Sequence, residues 1–589
     1  MAEKQQETRK AFGRTLSDLW LDGEEGRFHP AETQILDCAA RGIDCVLGDK
    51  RPARASEENR VRAELLRFIA LGGDAQNPLH EKGLTVIGAF IECGAEGLDF
   101  EGTTITENLW LRSCTVNGRV LLRDATTSAL GFSGSQVDGI NADRLVCNGS
   151  LHLKNGFITT ETVYLRGAVI KGNLSCSGGR FRTRESRSLV CDSVTVEGSV
   201  FIRDRFSALG AVEFGKAIIG NGLFANNGRF LDREKALYAQ RCRVENSIDL
   251  GEGFKARGPV SFQGAKIAND MICSGGLFKG APCLTLRGAQ IAGTFFWQEI
   301  VKANGELNLS AASCQTLNTN MASWEKPDQV RLDNFTYKGF SQLEKGANAA
   351  YWKSFLERQP ENHLTDRFRP NPYAQLASVL DNMGYELEAK SVRVEQSRRQ
   401  SNFTRLYEPN GSGLWERFMR WLVVFWNFIQ GALVDYGYRP GKAVLYLIGV
   451  LLVGAGIYHY AALNGVMTPT HPLIYKEAGN SIPAECSKNW VYPEESIRAA
   501  CEAAIPGEYS TFNALVYSAD VALPIVNLRM ENDWSPRVVT WPEGRYEGFG
   551  SFLPGTLGGW VRAWEWLQIT LGWLLSLLFA SAIGGIIRR

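Results

Sequence analysis

The sequence predicts a mainly β fold: a right-handed parallel β-helix solenoid with helical caps, followed by a C-terminal transmembrane α-helical region. Three observations predict it. An eleven-residue apolar repeat runs from about residue 84 to 310, two long uncharged apolar runs lie near the C-terminus, and the 13 cysteines are unevenly placed.

In the repeat, an apolar-x-apolar motif is followed by one apolar residue five positions on. Phe100 leads to Ile105, Leu111 to Val116, Phe132 to Val137, Leu153 to Ile158, Leu165 to Ile170 and Cys176 to Phe181. The series continues from Cys191 to Val196, Phe214 to Ile219, Ala225 to Phe230, Phe262 to Ile267, Cys273 to Phe278 and Leu286 to Ile291. The next unit commonly opens six residues later, as from Val116 to Leu122. The three- and four-residue steps of an amphipathic helix are missing. Strands of two or three residues between Gly, Asn, Asp or Ser corners fit a stacked coil of roughly twenty-two residues. A β-sandwich is disfavoured because it uses longer strands.

Solenoid ends expose apolar surface unless they are covered. Ser56 to Gly73 reads as a helix with an N-cap serine and a glycine stop, and Val61, Leu65, Phe68 and Ile69 share one face. At the other end, Tyr373–Gly384 followed by Glu386–Gln400 reads as a tetratricopeptide-like hairpin, with Ala377 and Ala389 allowing close approach. The predicted divisions are an N-terminal helical capping segment at 1–80, the β-helix at 81–320, the helical coupling segment at 321–410 and a membrane region at 411–589.

Within the last division, 443–463 and 566–587 are long enough to span a bilayer. Residues 415–433 hold Trp421, Phe425, Trp426 and Phe428 but only a short uncharged run, so an interfacial helix is preferred to a third span. Arg417, Arg420, Arg439 and Lys442 precede the first span, and Arg588 and Arg589 follow the second. The loop between them, 464–562, carries more acidic than basic residues. The positive-inside rule then places both ends in the cytosol and the loop outside. The polar N-terminus, without an apolar h-region, leads to the same expectation.

Eleven cysteines lie between Cys38 and Cys314, many where the repeat elsewhere has Leu, Val or Phe, as expected of small buried thiols in a reducing compartment. Cys486 and Cys501 fall in the outer loop, where a disulfide and two free thiols fit equally well.

Net charge is +1, from 64 basic and 63 acidic residues, and no basic stripe stands out, so nucleic acid is not an expected partner. The six histidines are scattered without zinc-ligand spacing, and His152 is expected to point outward between Leu151 and Leu153. Gly220-Asn-Gly222 lies inside the repeat, where glycines serve as corners rather than as a nucleotide fingerprint. No catalytic residue, cofactor or metal is therefore expected. Arg112, Arg123, Arg166 and Arg203 follow strands at corners, forming either a binding face for acidic ligands or protein, or a solvated face, with the solvated reading preferred. In the outer loop, Thr511–Leu528 is amphipathic and broken by Pro524, giving a span, short helix, span layout without a potassium-channel filter. Asp520 and Asn527 are its candidate pore-facing polar residues, although a loop helix lying at the interface is the preferred reading.

The segments RAELLRFIALGG at 62–73, GAFIECGAEGLDFEG at 88–102, the hairpin at 373–389, YGYRPG at 436–441 and YSADVALP at 517–524 resemble those of uncharacterised bacterial membrane-anchored proteins with pentapeptide-like repeats. Some of these relatives carry the label membrane-associated oxidoreductase. The resemblance covers most of the chain and implies a bacterial membrane protein; the lipid bilayer and a cytosolic protein are the partners expected from the apolar spans and the exposed solenoid surface. It carries over no catalytic residue. The expected function is a cytosolic binding, sensing or scaffolding surface on a membrane anchor. A gated pore formed by a homo-oligomer, and an enzyme using the β-helix surface, are the alternatives.

Overall fold

The computed structural model describes residues 15–587, apart from 22–25, 184, 344–345, 366, 407–413, 472–473, 475–483, 506 and 539–556. Its contacts separate two units, Met1–Gln396 and Ser397–Arg589.

The first unit is a parallel β-solenoid. Short strands run from Cys45–Val46 to Gly339–Phe340, so strand pairing starts before and ends after the 81–320 expected. Each coil contributes four strands. One coil contains Val146–Cys147, Leu151–His152, Ile158–Thr159 and Val163–Tyr164. These pair in parallel with Val169–Ile170, Leu174–Ser175, Arg180–Phe181 and Leu189–Val190 of the next. Two of the four rows are sheets of 11 strands each.

Two corner columns are turned by left-handed residues, and many of these are not glycine. One column runs through Gly102, Asp124, Arg144, Gly167, Ser193, Lys216 and Arg241, with φ between 55° and 63°. The repeat assigns eleven of its twelve five-step partners to the interior correctly. Ile158 is the exception: Phe157 and Thr159 are buried instead. The cause is local. Asn155 and Gly156 are both left-handed (φ 56° and 87°), adding a residue to that corner and shifting the inward position by one.

Interior packing follows a two-coil alternation. Phe157, Phe181, Phe206, Phe230, Phe254, Phe278 and Trp297 form a continuous stack with ring centroids 5.1 to 5.7 Å apart. Where the ring is carried by the strand, as in Phe181, Phe230 and Phe278, the residue two earlier is Gly179, Gly228 or Gly276. Where it is carried by the corner, as in Phe157, Phe206 and Phe254, the strand residue is Thr159, Ala208 or Ala256. A Cβ at Gly228 would stand 2.9 Å from the Phe230 ring and 2.7 Å from the Ala225 carbonyl. Large and small residues thus interdigitate along the axis, the arrangement that close packing requires. Each such ring pair adds about 0.5–1.5 kcal/mol beyond its burial.

At the start of the solenoid lie α1 (Pro30–Arg41) and α2 (Ala63–Ala70). The expected helix over 56–73 is shorter, because Arg60–Arg62 pairs as a strand with Phe90–Glu92 and takes Val61 with it. Leu65, Leu66, Phe68 and Ile69 are buried. The Glu32 carboxylate, fully buried on α1, is paired with Arg62 at 2.8 Å. At the far end, Trp352 and Phe355 of α3 (Ala349–Glu357) pack on Phe340, the last strand residue. Then α4 (Asn371–Asn382) and α5 (Glu386–Leu406) form the hairpin, in which Ala377 and Ala389 are buried and Arg393 pairs with Asp381.

The second unit is helical: α6 (Leu414–Val434), α7 (Gly441–Leu463), α8 (Ala514–Ala522), α9 (Met530–Asp533) and α10 (Leu557–Ile587). Among the described residues, α7 and α10 are long and apolar enough to cross a membrane. They pack antiparallel, since Ala443 near the start of α7 clusters with Leu578 while Tyr458 near its end clusters with Val561. The second helix starts nine residues earlier than the span read at 566–587. Arg588 and Arg589, which closed that span, lie outside the described residues.

Candidate functional site

The four arginines singled out from the sequence do not form one face. Each immediately precedes a left-handed corner residue: Ser113, Asp124, Gly167 and Asp204. Strand register puts Arg112 and Arg203 at one corner, after the row Trp110–Gly131–His152–Ser175–Phe201. Arg123 and Arg166 share another, after Leu121–Asn141–Tyr164. All four have acidic neighbours. Arg123 meets Glu101 at 2.7 Å, Arg166 meets Asp143 at 2.8 Å, Arg203 meets Asp204 at 3.2 Å and Arg112 meets Asp44 at 3.8 Å. Between the first two, Arg144 pairs with Asp124 at 2.6 Å. A corner of stacked, alternating charges is largely self-neutralised, which lowers its attraction for an acidic ligand.

A less charged strip lies beside the Arg203 corner, on the outward positions of the adjacent strand row. Register sets Phe201, Phe224, Asp249, Ile272 and Phe296 in successive coils. Phe201 and Phe224 stack at 5.4 Å and 14°. The Arg203 guanidinium covers them, 4.9 Å from the first ring and 5.9 Å from the second. Its Nε reaches Asp204 without hydrogen-bond geometry, and Asn226 Oδ1 and Ser274 Oγ in the same corner column are buried without hydrogen-bond partners. Burial raises the Asp249 carboxyl above the usual carboxylate range, against the pull of the Gly251 amide and Arg203. Further up the row, His152 stands 5.5 Å from Trp110 across Gly131, where a Cβ would collide with the indole. His152 is only partly exposed, and burial lowers its imidazole, with Lys154 acting in the same direction.

Burial holds several cysteines of the solenoid in the thiol form. Burial raises the Cys114, Cys242, Cys283 and Cys314 thiols to about 12. Among the described residues no group of three or more His, Cys, Asp or Glu side chains is placed to hold a metal.

No family model, curated protein or solved structure matches this chain.

In the helical unit, Cys486 and Cys501 form a disulfide with Cα atoms 5.6 Å apart, inside a cluster containing Met467, Trp490, Phe512, Tyr517 and Trp534. A polar junction joins α8 to the two long helices. Ser518 Oγ donates to the Leu451 carbonyl at 2.8 Å, and Gln568 Nε2 donates to Ser518 O at 3.0 Å and to its Oγ at 2.7 Å. The Tyr517 hydroxyl donates to Glu565 at 3.1 Å, and Arg562 pairs with the same carboxylate at 3.3 Å. Asp520 is buried, and its two oxygens accept from the Leu528 and Glu531 amides at 2.6 and 2.8 Å. Asn527 is exposed and accepts from the Arg529 amide. The two residues named from the sequence thus divide: one ties down the chain after α8, and the other faces outward.

Residues that sequence reasoning passed over are Phe201, Phe224, Asn226 and Ser274 on the solenoid, and Gln568, Glu565 and Tyr517 in the junction. The first pair carried a signal. They occupy the middle x of the apolar-x-apolar motif, a position that an outward residue normally fills with a polar group.

Proposed function

We propose that the chain is a bacterial inner-membrane protein in which α7 and α10 cross the bilayer, both ends face the cytosol, and the solenoid is a binding and scaffolding surface for a cytosolic protein. The right-handed sense follows from the preference of parallel strand crossovers. In this reading α1 and α2 close the first coil, and α3 to α5 close the last. The α6 helix lies at the membrane interface, supported by the exposure of Trp415, Trp421, Trp426 and Phe428.

One observation carries the binding surface: the Phe201–Phe224 stack under Arg203. Stacked aromatics under a guanidinium are what interface cores use. Photo-crosslinking tests it. A crosslinker at Ile272 should capture one protein reproducibly, one at Thr285 on another face should not, and Phe201→Ala with Phe224→Ala should abolish capture without altering the fold. Equal capture from both faces, or capture surviving the double substitution, would refute this surface.

A further inference from the structure

We propose that α8 and the segment Leu523–Arg529 form a re-entrant hairpin reaching the middle of the bilayer, and that copies of this chain assemble around it to enclose an anion-passing aqueous path. The proposal rests on the membrane-spanning reading of α7 and α10, and goes beyond their use as a tether.

Depth is the first argument. Helix α7 has 23 residues, and Leu451 lies twelve residues before its end at Leu463, about 18 Å along a helix of about 34 Å. Ser518 donates to the Leu451 carbonyl, and one turn on, Ala522 lies against Gly572, where a Cβ would collide with its carbonyl. The loop-side cluster takes in Phe512 and Tyr517 around the start of α8 and one face of its later part through Val521, while its last carbonyl, at Ala522, reaches Gly572. The helix therefore descends from the disulfide-braced loop and ends near mid-span. Helix α8 stops at Ala522, just before Pro524. Asp520 then holds the Leu528 and Glu531 amides, and Arg529 adopts a left-handed conformation (φ 64°), so the chain turns back toward the loop side.

Exposure is the second argument. Residues 525–529 are all exposed, Ile525 at 91%. Non-helical backbone at this depth is tolerated only inside protein or against water. Arg529, beside Met530 of the loop-side cluster, lies at the loop-side mouth of this turn, where its charge likewise needs a wet or paired environment. A single copy in lipid would satisfy neither requirement. A ring of copies satisfies both: Ile525, Val526 and Leu528 supply apolar contact between neighbours, and Asn527 and Arg529 face enclosed water. A ring of arginines favours anions.

The test uses the full chain. In cells, Asn527→Cys should react with a membrane-impermeant maleimide added from outside, above the background of the unsubstituted protein, and Ile525→Cys should form intermolecular disulfides. In liposomes, the purified protein should pass chloride. Arg529→Ala should reduce that flux at least tenfold, Arg529→Lys should retain most of it, and Arg529→Glu should shift preference to cations. Absence of labelling, of cross-linking or of chloride flux overturns the proposal. So does flux that is indifferent to Arg529. Alkaline carbonate extraction separates the two levels. A protein that stays in the membrane pellet but fails these tests loses only the hairpin and path, whereas one released by carbonate loses the spanning reading as well.

Discussion

The two units are stabilised in different ways. In the solenoid, nearly every contact joins residues one coil apart: Val146 pairs with Val169, Val169 with Thr195 and Thr195 with Ile218. In the helical unit, the joining contacts bridge distant segments. Ser518 meets Leu451 and Gln568, and Met467–Pro469 pairs with Trp534–Pro536. The solenoid's energy is thus distributed along its axis as similar nearest-neighbour terms. The helical unit depends on a few polar contacts and one disulfide to fix where α8 sits. The difference indicates that damage should propagate along the solenoid but act at single points in the helices.

The largest expected effect breaks the solenoid side of that contrast. Phe230→Ala removes one ring from a continuous stack, and should cost about 3–5 kcal/mol in denaturant unfolding. Gly228→Ala, which leaves every ring in place, should cost about 1–3 kcal/mol by overpacking. If both were neutral, the alternation would not carry the packing.

Next, Cys486→Ser with Cys501→Ser opens a loop with a sequence separation of 15, worth about 3 kcal/mol in chain entropy. Thermal unfolding with a probe in each unit should show the helical transition falling while the solenoid transition stays in place. Equal shifts in both would erase the contrast.

A smaller loss, about 1 kcal/mol, is expected for Gln568→Leu, since hydrogen bonds between helices in membranes are individually modest. Its sharper readout is positional: a spin-label distance from α8 to α7 should broaden, because Ser518 loses its partner on α10.

The smallest effect concerns Asp249. Its folded carboxyl is raised by burial, so the folded state favours the protonated form. The stability this gives is full below the ordinary carboxylate pKa and lost as pH rises through the raised value. Asp249→Asn should therefore be slightly more stable than the parent at neutral pH, with the gap closing on acidification. Denaturant midpoints measured across pH would check it, and a gap that widens on acidification would reverse the assignment.

What could be read in advance follows the same division. A repeated environment repeats its residue choice, so the interior columns were legible from spacing alone. The miss at Ile158 came from one extra corner residue, which spacing cannot distinguish from a loop slip. The helix expected from Ser56 failed at Arg60–Arg62 because strand addition to Phe90–Glu92 outweighed local propensity. The arginines were found as corner residues, but their pairing was not, since Arg166 and Asp143 are 23 residues apart and meet only through register. Asp520 reads from the sequence as a candidate pore-facing polar residue of an amphipathic loop helix, yet its partners Leu528 and Glu531 offer main-chain amides that no side-chain pattern reveals.

By itself, then, the sequence determined a stacked coil and two helices able to span a bilayer, because apolar periodicity and run length are local properties that burial enforces. Only the tertiary structure decided which outward residues share a corner, that Phe201, Phe224 and Arg203 form one strip, and that α8 ends beside the middle of α7. Those relations depend on register between coils and on single hydrogen bonds between segments tens of residues apart, and neither leaves a period in the chain.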